Sequence, residues 1–214
     1  NVDHQALFRP ITKWTTRADP DTLSTVIDQA LTTALSEVPG PVHIGLPVDL
    51  NDKQAVRHNT RPADPKPAAA PSEEALQPVY DLLSRARRPL FAVGLTAARH
   101  KLGSRLTRLL ESLPAPVVLT PMAKGLLPET HPCYAGVLFH ACSDRLAPIL
   151  HQADLVIGIG YDPVEFDYEA WLPKAPLVHL DSSPAELPAP FTPAAACVGD
   201  LAAALDALAA LPPR

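Results

Sequence analysis

The sequence has little that would direct it to a nucleic acid, a membrane or a secretory route. It carries 18 Lys and Arg against 23 Asp and Glu, a net charge of -5, and no basic stripe stands out. Binding to DNA or RNA is therefore not expected, because it requires clustered positive charge. No apolar run approaches the roughly 20 residues needed to span a bilayer, and the N-terminus lacks the pattern of a signal peptide. We expect no membrane association.

Cysteine and glycine are also scarce. Cys133, Cys142 and Cys197 are an odd number of cysteines without a CxxC pair. This is typical of free thiols in a reducing compartment, so we expect a cytoplasmic protein. Only 9 glycines stand against 26 prolines, which makes many connections stiff. In contrast, 47% of the residues are hydrophobic, enough for the core of one large domain, or of one domain and part of another.

A proline-rich stretch at residues 57–71 divides the chain and is predicted to be an extended linker. Before it, an apolar stripe of helical period predicts a helix over 22–37, and an apolar run after Pro39-Gly40-Pro41 predicts a strand over 42–46. One helix and one strand need a partner sheet, and about 50 residues bury too little surface to fold alone. We therefore expect residues 1–56 to be the C-terminal remnant of an α/β domain whose first part is missing.

Beyond the linker, residues 72–214 alternate regularly between apolar runs and amphipathic stretches. Ser72 is predicted to cap a helix that contains Pro78, and Asp200 to begin a helix that ends near Leu211. The remaining elements are a helix over 102–113 and strands over 90–93, 117–120, 154–159, 177–181 and, less clearly, 196–198. This alternation predicts an α/β fold with a doubly wound parallel sheet and right-handed crossovers.

One turn is especially informative about a site. The buried strand Leu155–Ile159 contains Gly158 and is followed by Gly160, and residues 162–165 carry a helix-capping pattern with Pro at the first helical position. Ligands of parallel sheets bind at such carboxyl ends of strands. However, Pro163 replaces the third glycine of a dinucleotide fingerprint. The turn therefore either only builds a loop or lines a ligand or partner surface.

The order of the motifs resembles that of thiamine-diphosphate-dependent enzymes over essentially the whole chain. The matching segments are Ala6–Lys13, Gly40–Asp49, Met122–Gly125, His131–Gly136, Ala153–Asp154, Val178–Asp181 and Val198–Asp200. Residues 136–139 together with 160–167 are most similar to the catabolic acetolactate synthases. The resemblance implies that residues 72–214 are the Rossmann-like central domain, and that residues 1–56 end the preceding pyrimidine-binding domain.

The resemblance also implies a reaction and its partners. The full-length enzyme would use thiamine diphosphate and Mg²⁺ to convert two pyruvates to 2-acetolactate and carbon dioxide. Its glutamate-bearing pyrimidine domain and its pyrophosphate domain would be the missing partners, and because its active-site walls come from different subunits, it would be a dimer or tetramer. Leucine follows Gly199-Asp200 here, so the Gly-Asp-Gly motif that positions Mg²⁺ is absent. We expect this chain to bind no metal or cofactor and to contain no catalytic residue.

The resemblance suggests several positions near the site of the complete enzyme. Lys13 would lie near the substrate channel, where a cation could attract pyruvate carboxylate; alternatively it is a solvated lysine. Seven residues would belong to vestigial cofactor-facing loops, where Met122 and Gly125 could equally be packing and turn residues: Gly94, Met122, Gly125, Gly160, Tyr161, Asp162 and Asp181. FAD is not expected, because Gly94 is the only glycine in its loop and the acidic Tyr161-Asp162 turn replaces an arginine-rich one.

Other interpretations remain open at this stage. The chain could be the central domain of another branch, either a biosynthetic FAD-containing synthase or a 2-oxoacid decarboxylase. The strand-glycine-helix units at 90–102 and 155–165 could form a free-standing nucleotide-binding module. Finally, His131 with Cys133 and His140 with Cys142 provide the ligand types of zinc, although without the tight knuckle that zinc sites usually use.

Overall fold

A computed structural model describes residues 2–50, 52–54, 68–138, 143–161, 175–185 and 192–212. The chain divides into two compact units, residues 1–67 and 68–214. Most of the predicted linker, 57–71, lies outside the described residues, so the domain limits 1–56, 57–71 and 72–214 stay a prediction. No helix in the described ranges is long and apolar enough to cross a membrane. The cytoplasmic location also stays a prediction.

The first unit contains a short parallel sheet. Its helices and strands are α1 (His4–Phe8), β1 (Trp14–Arg17), α2 (Leu23–Leu35) and β2 (Val42–Gly45). Strand β1 pairs with β2 in parallel, with Trp14 opposite Val42. The sequence predicted α2 and β2 but not β1. The segment Trp-Thr-Thr-Arg has neither an apolar run nor an alternating pattern, so its strand depends on pairing with a partner 28 positions away.

The second unit contains a six-stranded sheet in which every pair is parallel. Its strands are β3 (Pro89–Val93), β4 (Val117–Leu119), β5 (Tyr134–Val137), β6 (Leu155–Ile159), β7 (Leu177–Asp181) and β8 (Ala195–Val198). Their order is β5-β4-β3-β6-β7-β8. The chain thus winds outward from β3 in one direction and from β6 in the other, which confirms the predicted doubly wound sheet.

The described helices of this unit are α3 (Glu73–Arg85), α4 (Leu95–Arg99), α5 (Gly103–Ser112), α6 (Ser143–Gln152) and α7 (Leu201–Ala209). The predicted cap of α3 is confirmed, because Ser72 accepts a hydrogen bond from Ala75 N at 3.2 Å. Asp200, predicted as the start of the last helix, is the N-cap of α7 and accepts a hydrogen bond from Ala202 N at 2.8 Å. Both side chains satisfy a backbone N–H that has no partner within its helix.

Within the second unit, α4, α6 and β5 were not predicted from the sequence, each for a local reason. Helix α4 is too short to show a helical period, and α6 contains Pro148. Strand β5 contains Gly136 and pairs with β4 through a register shift, which interrupts the pattern of a regular strand.

Apolar side chains cover both faces of the large sheet. Along β3, Phe91 and Val93 belong to one buried cluster, whereas Leu90 and Ala92 belong to the other. Helices α3, α5 and α7 pack their apolar side chains into the first cluster, and α6 contributes Leu150 to the second. Because apolar side chains cover both faces, polar groups of the sheet can contact solvent or a ligand mainly at its edges.

Candidate functional site at the carboxyl edge of the sheet

The carboxyl ends of the parallel strands form one continuous edge. The residues that follow β4, β3, β6 and β8 donate backbone hydrogen bonds to a neighbouring strand at 2.8 to 3.1 Å: Thr120 to Val93, Gly94 to Ile159, Gly160 to Leu180 and Gly199 to Asp181. Predicted positions Gly94, Gly160 and Asp181 are therefore brought to the same edge. The reversal of winding lies between Gly94 and Gly160, where α/β sheets preferentially bind ligands.

At this reversal point, Gly160 packs directly against the start of α4. Its φ angle is 53°, and a Cβ atom there would lie 2.4 Å from Ala97 N and 3.0 Å from Thr96 Cβ. The Gly160 carbonyl accepts a hydrogen bond from Thr96 N at 3.1 Å. Glycine is required because a side chain would collide with backbone. The contact thus holds the start of α4 against the carboxyl end of β6.

Buried polar side chains of the described residues lie on or just after the carboxyl halves of strands: Thr96, Thr120, His179 and Asp181. The Asp181 carboxylate accepts hydrogen bonds from Ser182 N at 2.6 Å and Ser182 Oγ at 3.1 Å, and His179 Nε2 donates to the Ser183 carbonyl at 2.9 Å. Both groups thus hold the turn that follows β7. The sequence analysis identified Asp181 but missed His179, whose signal is a lone polar residue inside the apolar Leu177–Leu180 run.

Tyr161 lies at this edge, but its side chain points into the core. It is 1% exposed and belongs to the apolar cluster that contains Leu146 and Leu150. The Tyr161 ring is therefore a packing group, and the expectation that its loop faces a cofactor stays a prediction. Asp162 and the predicted capping pattern over 162–165 lie outside the described residues, so the part of the FAD argument that rests on Asp162 stays a prediction.

The two predicted loop residues after β4 differ in character. Met122 lies in the 3-10 turn Pro121–Ala123, which contacts α4, and its side chain is 61% exposed. Gly125 has a φ angle of 94°, and a Cβ atom added there would meet no other atom within 4 Å. Gly125 is thus a turn residue that serves backbone conformation. Met122 does not pack into the core of this unit, and its cofactor-facing role stays a prediction.

Lys13 lies in the first unit, where its ammonium group has a clear structural role. Nζ donates to the Ser36 carbonyl at 2.8 Å, to Ser36 Oγ at 2.7 Å and to the Val38 carbonyl at 2.8 Å. These three bonds use all of its donors and place positive charge at the C-terminal end of α2, where the helix dipole is negative. Lys13 is nevertheless exposed, and both interpretations, a solvated lysine and a residue of the substrate channel, stay predictions.

No group of three or more His, Cys, Asp or Glu side chains within the described ranges could hold a metal ion. Among the predicted zinc ligands, His131 Nδ1 accepts a hydrogen bond from Cys133 N at 3.2 Å, whereas His140 and Cys142 lie outside the described residues. At the predicted remnant of the Mg²⁺ motif, the Asp200 carboxylate caps α7 and leucine follows it, so this segment does not supply the carboxylate and carbonyl set that Mg²⁺ would require on a diphosphate. The expectation that this chain lacks a metal site stays a prediction.

Comparisons with known proteins identify the family. Residues 76–208 match the family described as thiamine pyrophosphate enzyme, central domain. The catabolic acetolactate synthase of Raoultella terrigena is 32% identical over 98% of this chain and 38% of its own length. A probable 2-ketoarginine decarboxylase of Pseudomonas aeruginosa is 31% identical over 96% of this chain and 37% of its own length.

An X-ray structure of a thiamin diphosphate-dependent enzyme from Mycobacterium smegmatis aligns with a TM-score of 0.75 and 26% identity. The alignment covers 97% of this chain and 40% of the other. The chain thus spans about two fifths of the length of the proteins it matches. The chain belongs to the thiamine pyrophosphate enzyme family, and residues 76–208 form its central domain.

Proposed function

We propose that this chain is the central part of an acetolactate synthase that joins two pyruvates to give 2-acetolactate and carbon dioxide. The main support is the 32% identity to a catabolic acetolactate synthase over 98% of the chain. In this proposal the first unit completes a pyrimidine-binding domain formed by other parts of the protein. A pyrophosphate-binding domain and a second subunit complete the active site, so the full-length protein is a dimer or tetramer.

When bound, thiamine diphosphate supplies the nucleophile for the 2-oxoacid carbonyl and the electron sink for the charge left by decarboxylation. The residues of this chain have a supporting role. The buried polar groups His179 and Asp181 are bonded to the turn that follows their own strand, and Lys13 is bonded to the end of α2. None of the three is poised as a free acid, base or nucleophile, which supports a scaffold that holds catalytic domains rather than a catalytic unit.

The proposed enzyme does not require flavin. The support comes from the loop after β3, in which Gly94 is the only glycine, so few backbone N–H groups there could approach a flavin diphosphate closely. A biosynthetic FAD-containing synthase is correspondingly disfavoured.

The test is an assay of the full-length protein with pyruvate, thiamine diphosphate and Mg²⁺, with and without FAD, and with the product identified by NMR. We expect 2-acetolactate at the same rate in both samples. A strict need for FAD would contradict the flavin proposal, and a different product would contradict the proposed reaction.

A matched pair of variants tests the scaffold role. Asp181→Asn and His179→Gln keep the shape of two buried polar side chains and remove their charge or basicity. We expect kcat/KM to stay within about three-fold of the parent at temperatures well below the melting temperature. A loss of kcat by about a hundred-fold or more, with the fold intact, would instead identify a catalytic group in this domain.

A second candidate is a 2-oxoacid decarboxylase. It is favoured by the 31% identity to a probable 2-ketoarginine decarboxylase. Both candidates release carbon dioxide from a 2-oxoacid. In a synthase the remaining carbanion adds to a second 2-oxoacid, whereas in a decarboxylase it is protonated. The product therefore separates them: acetaldehyde from pyruvate, or an aldehyde from a longer 2-oxoacid in the absence of acetolactate, would establish the decarboxylase.

A further inference from the structure

A groove of about 290 Å³ lies at the opposite, amino edge of the large sheet. We call it the amino-edge groove. Its lining comes from the segments that precede β3, β4 and β6 and from the last turn of α6. The lining includes Arg87, Arg88, Pro89, Pro116, Ile149 and Ala153. A second cavity of about 200 Å³ adjoins it and shares Arg87 and Pro89.

The walls of this groove are apolar and rigid. Pro89 and Pro116 fix the backbone on one side, and the partly buried Ile149 and Ala153 lie on the other. At about 30 Å³ for each water-sized group, the space holds about ten non-hydrogen atoms. A flat, apolar ring system suits such a slot better than a flexible chain, because the ring loses little conformational freedom on binding.

The rim of the groove is positively charged. Arg87 and Arg88 are exposed, and their guanidinium groups make no hydrogen bond or direct ion pair to another residue in the described ranges. The nearby Asp154 carboxylate accepts the backbone N–H groups of both arginines, at 2.8 Å and 2.9 Å. Two guanidinium groups against one occupied carboxylate leave a net positive charge that a carboxylate or phosphate could pair with.

Asp154 also fixes the backbone position of the two arginines. Its backbone N–H donates to the Arg88 carbonyl at 3.1 Å, so three hydrogen bonds join the start of β6 to the segment before β3. The backbone of the rim is thus already ordered before a ligand binds, and only the two arginine side chains lose conformational freedom on binding. From the slot and its charge we infer that the amino-edge groove binds a small aromatic monoanion, independently of the reaction proposed for the full-length enzyme.

A competing explanation is that the two arginines only stabilise the C-terminal end of helix α6, where the helix dipole is negative. Helix α6 ends at Gln152, which lines this groove, and carbonyl groups at helix ends carry partial negative charge. The two explanations differ in what they predict for Arg87→Gln and Arg88→Gln. Dipole balance predicts a lower melting temperature and no ligand, whereas a ligand site predicts lost affinity with little change in melting temperature.

The experiment uses the 214-residue chain and two probes of equal size, 2-naphthoate and its neutral analogue 2-naphthamide. Binding is followed by NMR shifts of backbone amides. We expect 2-naphthoate to bind with a Kd on the order of 1 mM or tighter and to shift the amides of residues 87, 88, 90, 115 and 153. The amide should bind at least about five-fold more weakly, because it offers no charge to the arginines.

Three variants complete the test. Arg87→Gln with Arg88→Gln should weaken 2-naphthoate binding about ten-fold, and Ala153→Leu should abolish it by filling the slot. The control is Arg85→Gln, an exposed arginine of α3 that does not line the groove, and it should bind as the parent does. Equal affinity for the two probes, shifts located elsewhere, or no binding at about 10 mM would each overturn the proposal.

Discussion

Both units of this chain are built from helices and parallel strands, but they differ in how much of their apolar surface is buried. In the second unit, six parallel strands bury their faces under helices, and residues such as Leu205 and Val93 are 0% exposed. In the first unit, two strands support helix α2, whose Leu31 and Leu35 are 45% and 59% exposed. A sheet with both faces covered can stabilise itself, whereas a two-stranded sheet with an open apolar face needs further surface to pack against.

The largest expected loss of stability follows from a substitution at Gly160, where the winding of the large sheet reverses. Gly160→Val would place a branched side chain 2.4 Å from Ala97 N at a φ angle of 53°. We expect a loss of more than about 3 kcal/mol in the free energy of unfolding, because both the collision and the backbone strain involve atoms that cannot move aside. Chemical denaturation followed by circular dichroism measures it.

The control for this substitution is Gly125→Ala. Gly125 also has a positive φ angle, 94°, but its surroundings are open. Only the backbone strain remains, so we expect a loss of about 1–2 kcal/mol. If both variants lost the same free energy, the close packing of α4 on Gly160 would not be what requires glycine.

A matched pair of leucines sharpens the comparison between units. Leu205→Ala opens a cavity in the complete core and should lower the free energy of unfolding by about 2–5 kcal/mol. Leu31→Ala removes a side chain that is already 45% exposed, and should lower it by less than about 1 kcal/mol. Denaturant titrations of both variants give the two values. Equal losses would show that α2 is packed as tightly as α7.

Sequence and structure agree where local pattern and burial act together. Strands β3 and β6 were predicted because they are short apolar runs, and α3 because Ser72 precedes an amphipathic stripe. Strands β1 and β5 could not be predicted, since each depends on a distant partner. At the site, Gly160 was identified from its glycine spacing. Its contact with Ala97 could not be foreseen, because helix α4 is too short for a recognisable period.

A smaller loss of stability is expected from removing the Asp154 carboxylate, which links the start of β6 to the segment before β3. Although desolvation by burial tends to raise the pKa of Asp154, backbone hydrogen bonds from Arg87 and Arg88 and the charge of Arg88 hold it below its ordinary value of 3.8. This stabilisation is present above the unfolded pKa and is lost as the pH falls through the lower folded pKa. Because Asp154 is partly exposed and solvent screens its interactions, Asp154→Asn should lower the free energy of unfolding by only about 0.5–1.5 kcal/mol at neutral pH.

The pH profile separates this group from other carboxylates. The parent should lose stability relative to Asp154→Asn as the pH falls below about 4, so the two curves converge. Asp81→Asn, an exposed carboxylate of α3 that bonds Gln77, is the control and should track the parent. A constant gap between the parent and Asp154→Asn down to about pH 2 would contradict the assignment.

The smallest effect is expected on the surface of the second unit. Asp206 of α7 pairs with Arg108 and, at 3.2 Å, with Arg105 of α5, and these side chains are 40% to 57% exposed. Asp206→Asn should lower the free energy of unfolding by less than about 1 kcal/mol, and added salt should reduce the difference. Thermal melts at low and high ionic strength provide the measurement. A loss as large as that of Leu205→Ala would mean that charge, not burial, holds α5 to α7.

Hydrogen–deuterium exchange, compared between the 214-residue chain and the full-length protein, tests the central claim that a self-sufficient central domain follows an incomplete one. We predict slow exchange for the amides of β3, β6 and β7 in both proteins, because these strands are buried on both faces. The amides of β1 and β2 should exchange quickly in the 214-residue chain and slowly in the full-length protein. Protection of β1 and β2 in the 214-residue chain equal to that of β3 would contradict the account.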